Sequence, residues 1–400
     1  MSQMSPAGSS QASERPAREA PGALAIIRAT AQESTGARLK VAGLPVFERA
    51  LRQLSRVGSQ RILVIGDGTI AAPRKLPRGV EVEEPTPDVE AAIALLRRRA
   101  GTPPIAVVGA DVVRRQSDPL TGGLRVTDET TRRLAEDAVF AELLRGDLGF
   151  IARHLNKKIS FRLTRSLLCQ LPVTPNQVTL GAMAIGMAGC LLIGAGTYSS
   201  MVAGFALVQL QSILDGCDGE LARVRFQQSP LGEWLDTLAD DFLNLALVAS
   251  MGLGLWRAGR GLIPVAVSAL ACGMLLVYNA VSYRELVRQG VGGELLKIRW
   301  KLARGLDMKS MMNQSSQSSG APPARPTESI GDAKITGREV SPATRAFLML
   351  GRRDFFIFSW MLLSIAKLVP LALLWASIIA ATLFVTAVGQ LVGREPAALD

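Results

Sequence analysis

Histidine is almost missing: His154 is the only one in 400 residues. A Ser-His-Asp or Cys-His mechanism would have to use it, and nothing nearby in sequence supports one. Cysteine is scarce as well. Cys169, Cys190, Cys217 and Cys272 show no CxxC spacing and lie in or beside apolar runs. They read as buried small hydrophobes, not as disulfide partners or zinc ligands. The chain also lacks a zinc-finger pattern and an aromatic-interleaved sheet motif, so its net charge of +11 does not point to nucleic acid. No apolar signal-peptide segment opens it. Residues 1–22 are rich in Ser, Pro and Gly and read as a disordered tail.

What the chain has in excess is apolar residues. It is 48% hydrophobic with a mean hydropathy of +0.25, concentrated in the second half, which predicts membrane spans. Basic residues flank those stretches, as in loops that face an anionic membrane surface. Ahead of them, residues 23–148 alternate. ALAIIRAT, RILVIGDG and PIAVVGAD read as buried strands, LPVFERALRQLSRVG and DVEAAIALLRRRAG as helices, and TTRRLAEDAVFAELL as a polar helix. This spacing predicts a small parallel α/β domain.

Residues 149–172 place Phe150, Ile151, Leu155, Ile159, Leu163 and Leu167 at helical spacing among basic residues. That is an amphipathic helix suited to the membrane interface, with an ordinary core helix as the alternative. Six spans are expected within 173–392, near 177–197, 201–222, 234–256, 262–283, 353–371 and 373–392, with a flexible polar loop at about 305–343. The loops at GTYSS and around Pro370 carry no Lys or Arg, while the opposite ends are rich in them. Both termini and the α/β domain are therefore expected to be cytoplasmic, at a bacterial inner membrane, with Arg257 and Arg260 running against the rule. The expected fold class is an α-helical polytopic membrane protein with six transmembrane helices, an interfacial amphipathic helix and a preceding small cytoplasmic α/β domain.

The second and third spans carry acids where a lipid-facing helix would have none: Asp215 and Asp218, then Asp236, Asp240 and Asp241, with Gln209 and Gln211 above the first pair. Ionisable groups at membrane depth are costly and mark functional sites. Asp215 and Asp218 are three apart, Asp236 and Asp240 four apart, so each pair shares a helical face. Two such helices side by side would converge four carboxylates, which cannot all stay ionised without a compensating charge. A divalent cation supplies it, and oxygen-only ligation selects Mg²⁺ or Mn²⁺ over zinc, with calcium as an alternative that phosphate chemistry disfavours. Acidic helix ends at the membrane surface are the bland alternative. Gly219 and Ala222 lie on the same side and leave room for a ligand, and Arg223 is placed to meet a phosphate. Gly232 permits close packing ahead of Asp236. Small interhelical contacts and a snorkelling arginine would explain the same residues without a ligand.

DGCDGELARVRFQQSPLGEWLDTLAD reads as DxxDGxxAR, eight residues, then GxxxDxxxD. It resembles the signature of the CDP-alcohol phosphotransferase (CDP-alcohol phosphatidyltransferase) family at all eight defining positions: Asp215, Asp218, Gly219, Ala222, Arg223, Gly232, Asp236 and Asp240. The resemblance implies metal ligation by Asp215, Asp218, Asp236 and Asp240, with Asp236 and Asp240 catalytic and Asp240 the general base. Gly219, Ala222, Arg223 and Gly232 would hold the CDP moiety beside Asp218. TPNQVTL resembles the family's opening of the first span and adds Asn176 and Thr179 near the nucleotide, although capping by Thr174 and Pro175 also explains it. Implied partners are a CDP-activated donor, an alcohol acceptor that is phosphorylated in some members, the lipid bilayer and a second copy of the chain.

The layout is similar to bifunctional proteins that join an inositol-1-phosphate cytidylyltransferase to a di-inositol-phosphate phosphate synthase. Residues 23–148 then correspond to a nucleotidyltransferase-like domain, but a Gly-rich phosphate loop is missing. IIRATAQESTGARLK stands there with one glycine, and Arg38 and Lys40 are the remnants. A truncated, non-catalytic module is expected. Arg284, Arg288, Arg352 and Arg353 lie at cytoplasmic span ends and could meet a phosphorylated acceptor, or simply follow the positive-inside bias. Three functions stay open: phospholipid synthesis from CDP-diacylglycerol, the same chemistry with a CDP-inositol-like donor, and a non-enzymatic scaffold or cation-binding transporter.

Overall fold

Strands form where aliphatic runs are buried on both faces. In this computed structural model the described residues are 24–56, 61–70, 80–82, 86, 88–99, 106–114, 123–143, 151–290, 334–335, 338–339 and 352–392. The expected tail at 1–22, Phe150 and nearly all of the expected loop at about 305–343 lie outside them. The chain divides into two compact units, one drawn from Met1–Leu39 and Pro45–Arg132, the other from Lys40–Leu44 and Arg133–Asp400.

The first unit holds a four-stranded parallel sheet. Its strands β1 (Leu24–Ala29), β2 (Arg61–Gly66), β3 (Val80–Val82) and β4 (Ala106–Gly109) lie in the order β3-β2-β1-β4. Helix α1 (Ala31–Arg38) follows β1, then α2 (Val46–Arg56) and α3 (Val89–Arg99). Ile27, Val64 and Val108 pack with Phe47, Leu51 and Leu54, while Ile26, Leu63 and Ile65 pack with Val89 and Ile93. Parallel strands covered on both faces need such continuous apolar runs.

Helix α1 directly follows β1, the place where the expected nucleotidyltransferase likeness would put a phosphate loop. The N-terminus of such a helix attracts anions, and here the protein supplies them. Ala31 N donates to Asp67 Oδ2 at 2.8 Å, and Thr30 N and Oγ1 donate to Glu33 Oε2 at 2.9 and 2.8 Å. Arg28 Nε donates to Glu33 Oε1 at 2.7 Å. Hydrogen bonds from the Thr69 hydroxyl and amide, then from Ala31, hold the Asp67 carboxyl below its usual range, so it stays charged.

The second unit begins with the C-terminal part of α4 (Glu129–Leu143), tied by Asp137 to Arg165 at 2.5 Å. Helix α5 comprises three continuous stretches, Ala152–Asn156, Lys157–Leu163 and Thr164–Leu168, the outer two wound as π-helix. Then come α6 (Pro175–Ala195), α7 (Tyr198–Val224), α8 (Pro230–Leu255) and α9 (Ile263–Gln289), and finally α10 (Arg353–Ile365) and α11 (Val369–Val392). Their starts carry strong signals. Thr174 caps α6 in a reciprocal box with Gln177, Thr197 caps α7, and Ser229 with Pro230 opens α8.

Among the described residues, five helices (α6, α7, α8, α9 and α11) are long and apolar enough to cross a membrane. The fifth expected span, 353–371, is shorter than anticipated: α10 has 13 residues, about 20 Å. It ends because Lys367 turns back at φ 59°, and α11 starts at Val369 instead of 373. The loop near Pro370 therefore includes Lys367, contrary to the expectation that it carries no basic residue. Small residues let the spans approach. A Cβ on Gly189 would lie 2.7 Å from the Gly204 carbonyl oxygen, and one on Gly204 would lie 2.5 Å from that of Gly189. Phe205, Leu243, Leu247, Met251, Trp360 and Leu373 fill the core.

Helix α5 packs on the bundle by polar residues. Asn156, Ser160 and Thr164 are buried, whereas Ile159 and Leu167 are exposed. Asn156 Oδ1 accepts from Gln209 Nε2 at 3.1 Å. Glu220, fully buried on α7, accepts from Lys157 Nζ at 2.8 Å, Ser160 Oγ at 2.6 Å and Thr164 Oγ1 at 2.8 Å.

Candidate active site

Asp215 on α7 and Asp236 and Asp240 on α8 converge: one carboxylate oxygen from each lies within 4.8 Å of the others. Their spacing along each helix puts them on one face, and the α7–α8 turn brings the two faces together. Three carboxylates this close need positive charge. Part of it comes from Arg353, whose Nη1 donates to Asp215 Oδ2 at 3.2 Å and to Asp240 Oδ2. Its Nη2 donates to Gln211 Oε1 at 3.3 Å, and Gln211 Nε2 donates to Asp215 Oδ1 at 3.4 Å.

Asp218 stands apart from this trio. Buried at 6% exposure, it accepts from the Thr179 hydroxyl of α6 and from its neighbour's amide, Gly219 N, at 2.5 Å. Thr179 therefore touches a carboxylate, as well as lying in the capped first turns of α6. Asn176 and Gly232 face each other where α6 and α8 begin: a Cβ on Gly232 would come within 3.2 Å of Asn176 Oδ1. A Cβ on Gly219 would lie 3.8 Å from Arg223 Nη2, so the guanidinium of Arg223 passes beside that glycine. Ala222 is half-buried one turn on from Asp218.

Of the four basic span-end residues, Arg353 alone reaches the trio. Arg352 pairs with Asp354 at 3.4 Å and Arg288 with Glu285 at 4.0 Å, and Arg284 is exposed. Sequence reasoning missed several supports. Tyr283 Oη donates to Asp241 Oδ2 at 2.5 Å, with Trp234 edge-on to the Tyr283 ring at 6.0 Å. Arg225, 8% exposed, donates to the carbonyls of Leu168, Cys169, Leu171 and Val173 at 2.6–3.1 Å and so fixes the chain between α5 and α6. A basic residue two positions after the DxxDGxxAR block was the one available signal, and it reads equally well as a membrane-edge cation.

The donors available to a metal among the described residues are carboxylate oxygens, the set that a hard divalent cation prefers. One arginine cannot balance three carboxylates, so the residues fit such an ion.

Residues 172–312 match the family model described as CDP-alcohol phosphatidyltransferase. Three similar proteins carry the name bifunctional IPC transferase and DIPP synthase. The one from Rubrobacter xylanophilus is 41% identical over 145 residues, 36% of this chain and 32% of its own. That from Aquifex aeolicus is 30% identical over 156 residues (39% and 35%), and that from Archaeoglobus fulgidus 32% over 168 residues (42% and 32%). The matches fall in the C-terminal half, and the chain covers about a third of the length of each relative. Residues 172–312 are thus similar to the CDP-alcohol phosphatidyltransferase family, with the eight signature positions in place and three of their carboxylates converged.

Proposed function

We propose that this protein transfers a substituted phosphate from a CDP-alcohol donor to an alcohol acceptor and releases CMP, in phospholipid or inositol-phosphodiester synthesis. The convergence of Asp215, Asp236 and Asp240 within a family-matched pair of helices carries this reading. Mg²⁺, or Mn²⁺, would be held by the trio Asp215, Asp236 and Asp240, with Asp218 beside them as the fourth carboxylate of the set, and when bound it would supply positive charge to the pyrophosphate and its leaving group. Gly219 and Ala222 leave the donor room against α7, Arg223 meets its phosphates, and Asn176, Thr179 and Gly232 border the nucleotide. Asp240 takes the proton of the acceptor hydroxyl as its oxygen attacks the β-phosphorus. The bond from that phosphorus to the CMP oxygen breaks, and CMP leaves with the electron pair.

The name shared by the relatives favours an inositol-type donor or acceptor, with CDP-diacylglycerol as the other donor; the mass of the product separates them. The N-terminal unit is a non-catalytic, nucleotidyltransferase-like module, because Asp67 and Glu33 already occupy the amides that would cradle a phosphate. The full chain given CTP and inositol phosphate should release no pyrophosphate. We also place six spans in a bacterial inner membrane, with α5 at the cytoplasmic interface, the site facing the cytoplasm and the chain as a homodimer. Asp240→Asn tests the chemistry. CMP release from a CDP-alcohol should drop by about 10²–10⁴-fold with the thermal transition retained. An unchanged rate would return the carboxylates to a cation-binding scaffold or transporter.

A further inference from the structure

Arg353 stands where a helix disfavours it. It is the first residue of α10, at the positive end of the helix dipole. Yet its guanidinium lies among the carboxylates of α7 and α8, paired with Asp215 and Asp240 and supported by Gln211. That position is not an optimal one for an arginine, since Nε is buried without a hydrogen-bond partner. The two carboxylates it binds belong to the converged trio, and both are among the four that the proposed function assigns to a divalent ion. A guanidinium and a divalent ion would compete for the same oxygens and repel each other at short range in a poorly screened site.

We propose, resting on the metal reading above, that Arg353 is a tethered counter-ion. It holds Asp215 and Asp240 together before the metal arrives and withdraws from them when the ion binds. The three carboxylates within 4.8 Å of one another are then never left uncompensated. The first turn of α10 is also fixed from the far side, because Asp354 Oδ2 accepts from Ala152 N at 2.8 Å. The backbone can therefore stay in place while the Arg353 side chain moves.

The test uses the full chain in detergent. Mn²⁺ binding is measured by electron paramagnetic resonance of the free ion, and thermal unfolding is followed with and without Mn²⁺. Without metal, Arg353→Gln should melt a few degrees below the wild type, and saturating Mn²⁺ should erase the gap. Mn²⁺ should bind the variant about tenfold more tightly if Arg353 holds the carboxylates roughly nine-tenths of the time. Equal destabilisation with and without Mn²⁺, or an unchanged affinity, overturns the proposal while leaving the metal site intact. Absence of Mn²⁺ binding to the wild type overturns both. A second measurement needs no variant. Phenylglyoxal modification of Arg353, read by peptide mass, should speed up when Mn²⁺ is added to the wild type; an unchanged or slower rate shows that the guanidinium stays where it is.

Discussion

Thr179 lies in the capped opening of α6, where a threonine ordinarily needs no further explanation, but its hydroxyl donates to Asp218 on α7. The contact joins α6 to one of the four signature carboxylates. Thr179→Val keeps the volume and removes the donor, so Asp218 loses a fixed orientation. A net loss of about 1 kcal/mol, roughly fivefold in kcat/KM, is expected, with Thr179→Ser close to the wild type. Steady-state CMP release checks it, and a valine variant with full kcat/KM would remove Thr179 from the site. Single residues of this kind divide by how local their signals are. The convergence of Asp215, Asp236 and Asp240 was legible because they fall within one short segment at helical spacing, whereas Asp218, expected to join them, instead accepts from Thr179 and Gly219. Arg353 was only one of four basic candidates, because it reaches Asp240 across 113 residues and no periodicity extends that far.

Elements were legible where one face dictates them and less so where they pack on each other. The three main strands and the long spans follow from apolar runs and caps. The amphipathic character of α5 was also visible, but its inward face was not. Apolar spacing drew attention to Ile159 and Leu167, whereas Asn156, Ser160 and Thr164 are the residues buried against α7. Their partner Glu220 sits inside the signature at a position where many residue types would fit the motif, so nothing in its sequence context marks it. A fully buried carboxylate with three donors is a clamp whose removal should be expensive. Glu220→Leu should cost about 3–5 kcal/mol by leaving Lys157, Ser160 and Thr164 without their acceptor. Lys157→Met should cost less, and the double variant should recover part of the loss, giving a coupling of about 1 kcal/mol or more in chemical unfolding. Strict additivity would show that Lys157 and Glu220 are neighbours without being partners. Limited proteolysis within α5 should rise in Glu220→Leu if the clamp holds that helix to the bundle.

At the scale of the second unit, α10 bears on the proposed placement of the site near one membrane face. Its first residue, Arg353, contacts Asp215, while at its other end the Ile365 carbonyl accepts from Tyr198 Oη at 3.0 Å. Along α7 the same two levels, Tyr198 and Asp215, are 17 residues apart, about 26 Å. Helix α10 therefore runs beside α7 between those levels in only 13 residues. If α7 crosses a hydrocarbon layer about 30 Å thick, this separation puts the carboxylates close to one face, where polar substrates can reach them. The basic residues at the opposite face have structural partners. Arg257 Nη1 donates to the Gly194 carbonyl near the end of α6 at 2.9 Å, and Lys367 Nζ lies 5.0 Å above the Tyr198 ring. Capping and cation–π contacts account for these two cations, so they do not count against a cytoplasmic carboxylate face. Cysteine labelling tests that orientation, in a background without Cys169, Cys190, Cys217 and Cys272, of which the first three are buried. Ser199→Cys, in the exposed start of α7, should react with an impermeant maleimide on intact bacteria. Gln227→Cys, exposed between α7 and α8 beside the signature, should react only after permeabilisation. The reverse pattern would invert the protein and put the site outside. Labelling of both in intact cells would mean that α7 does not cross, and the depth assigned to its carboxylates would fall with it.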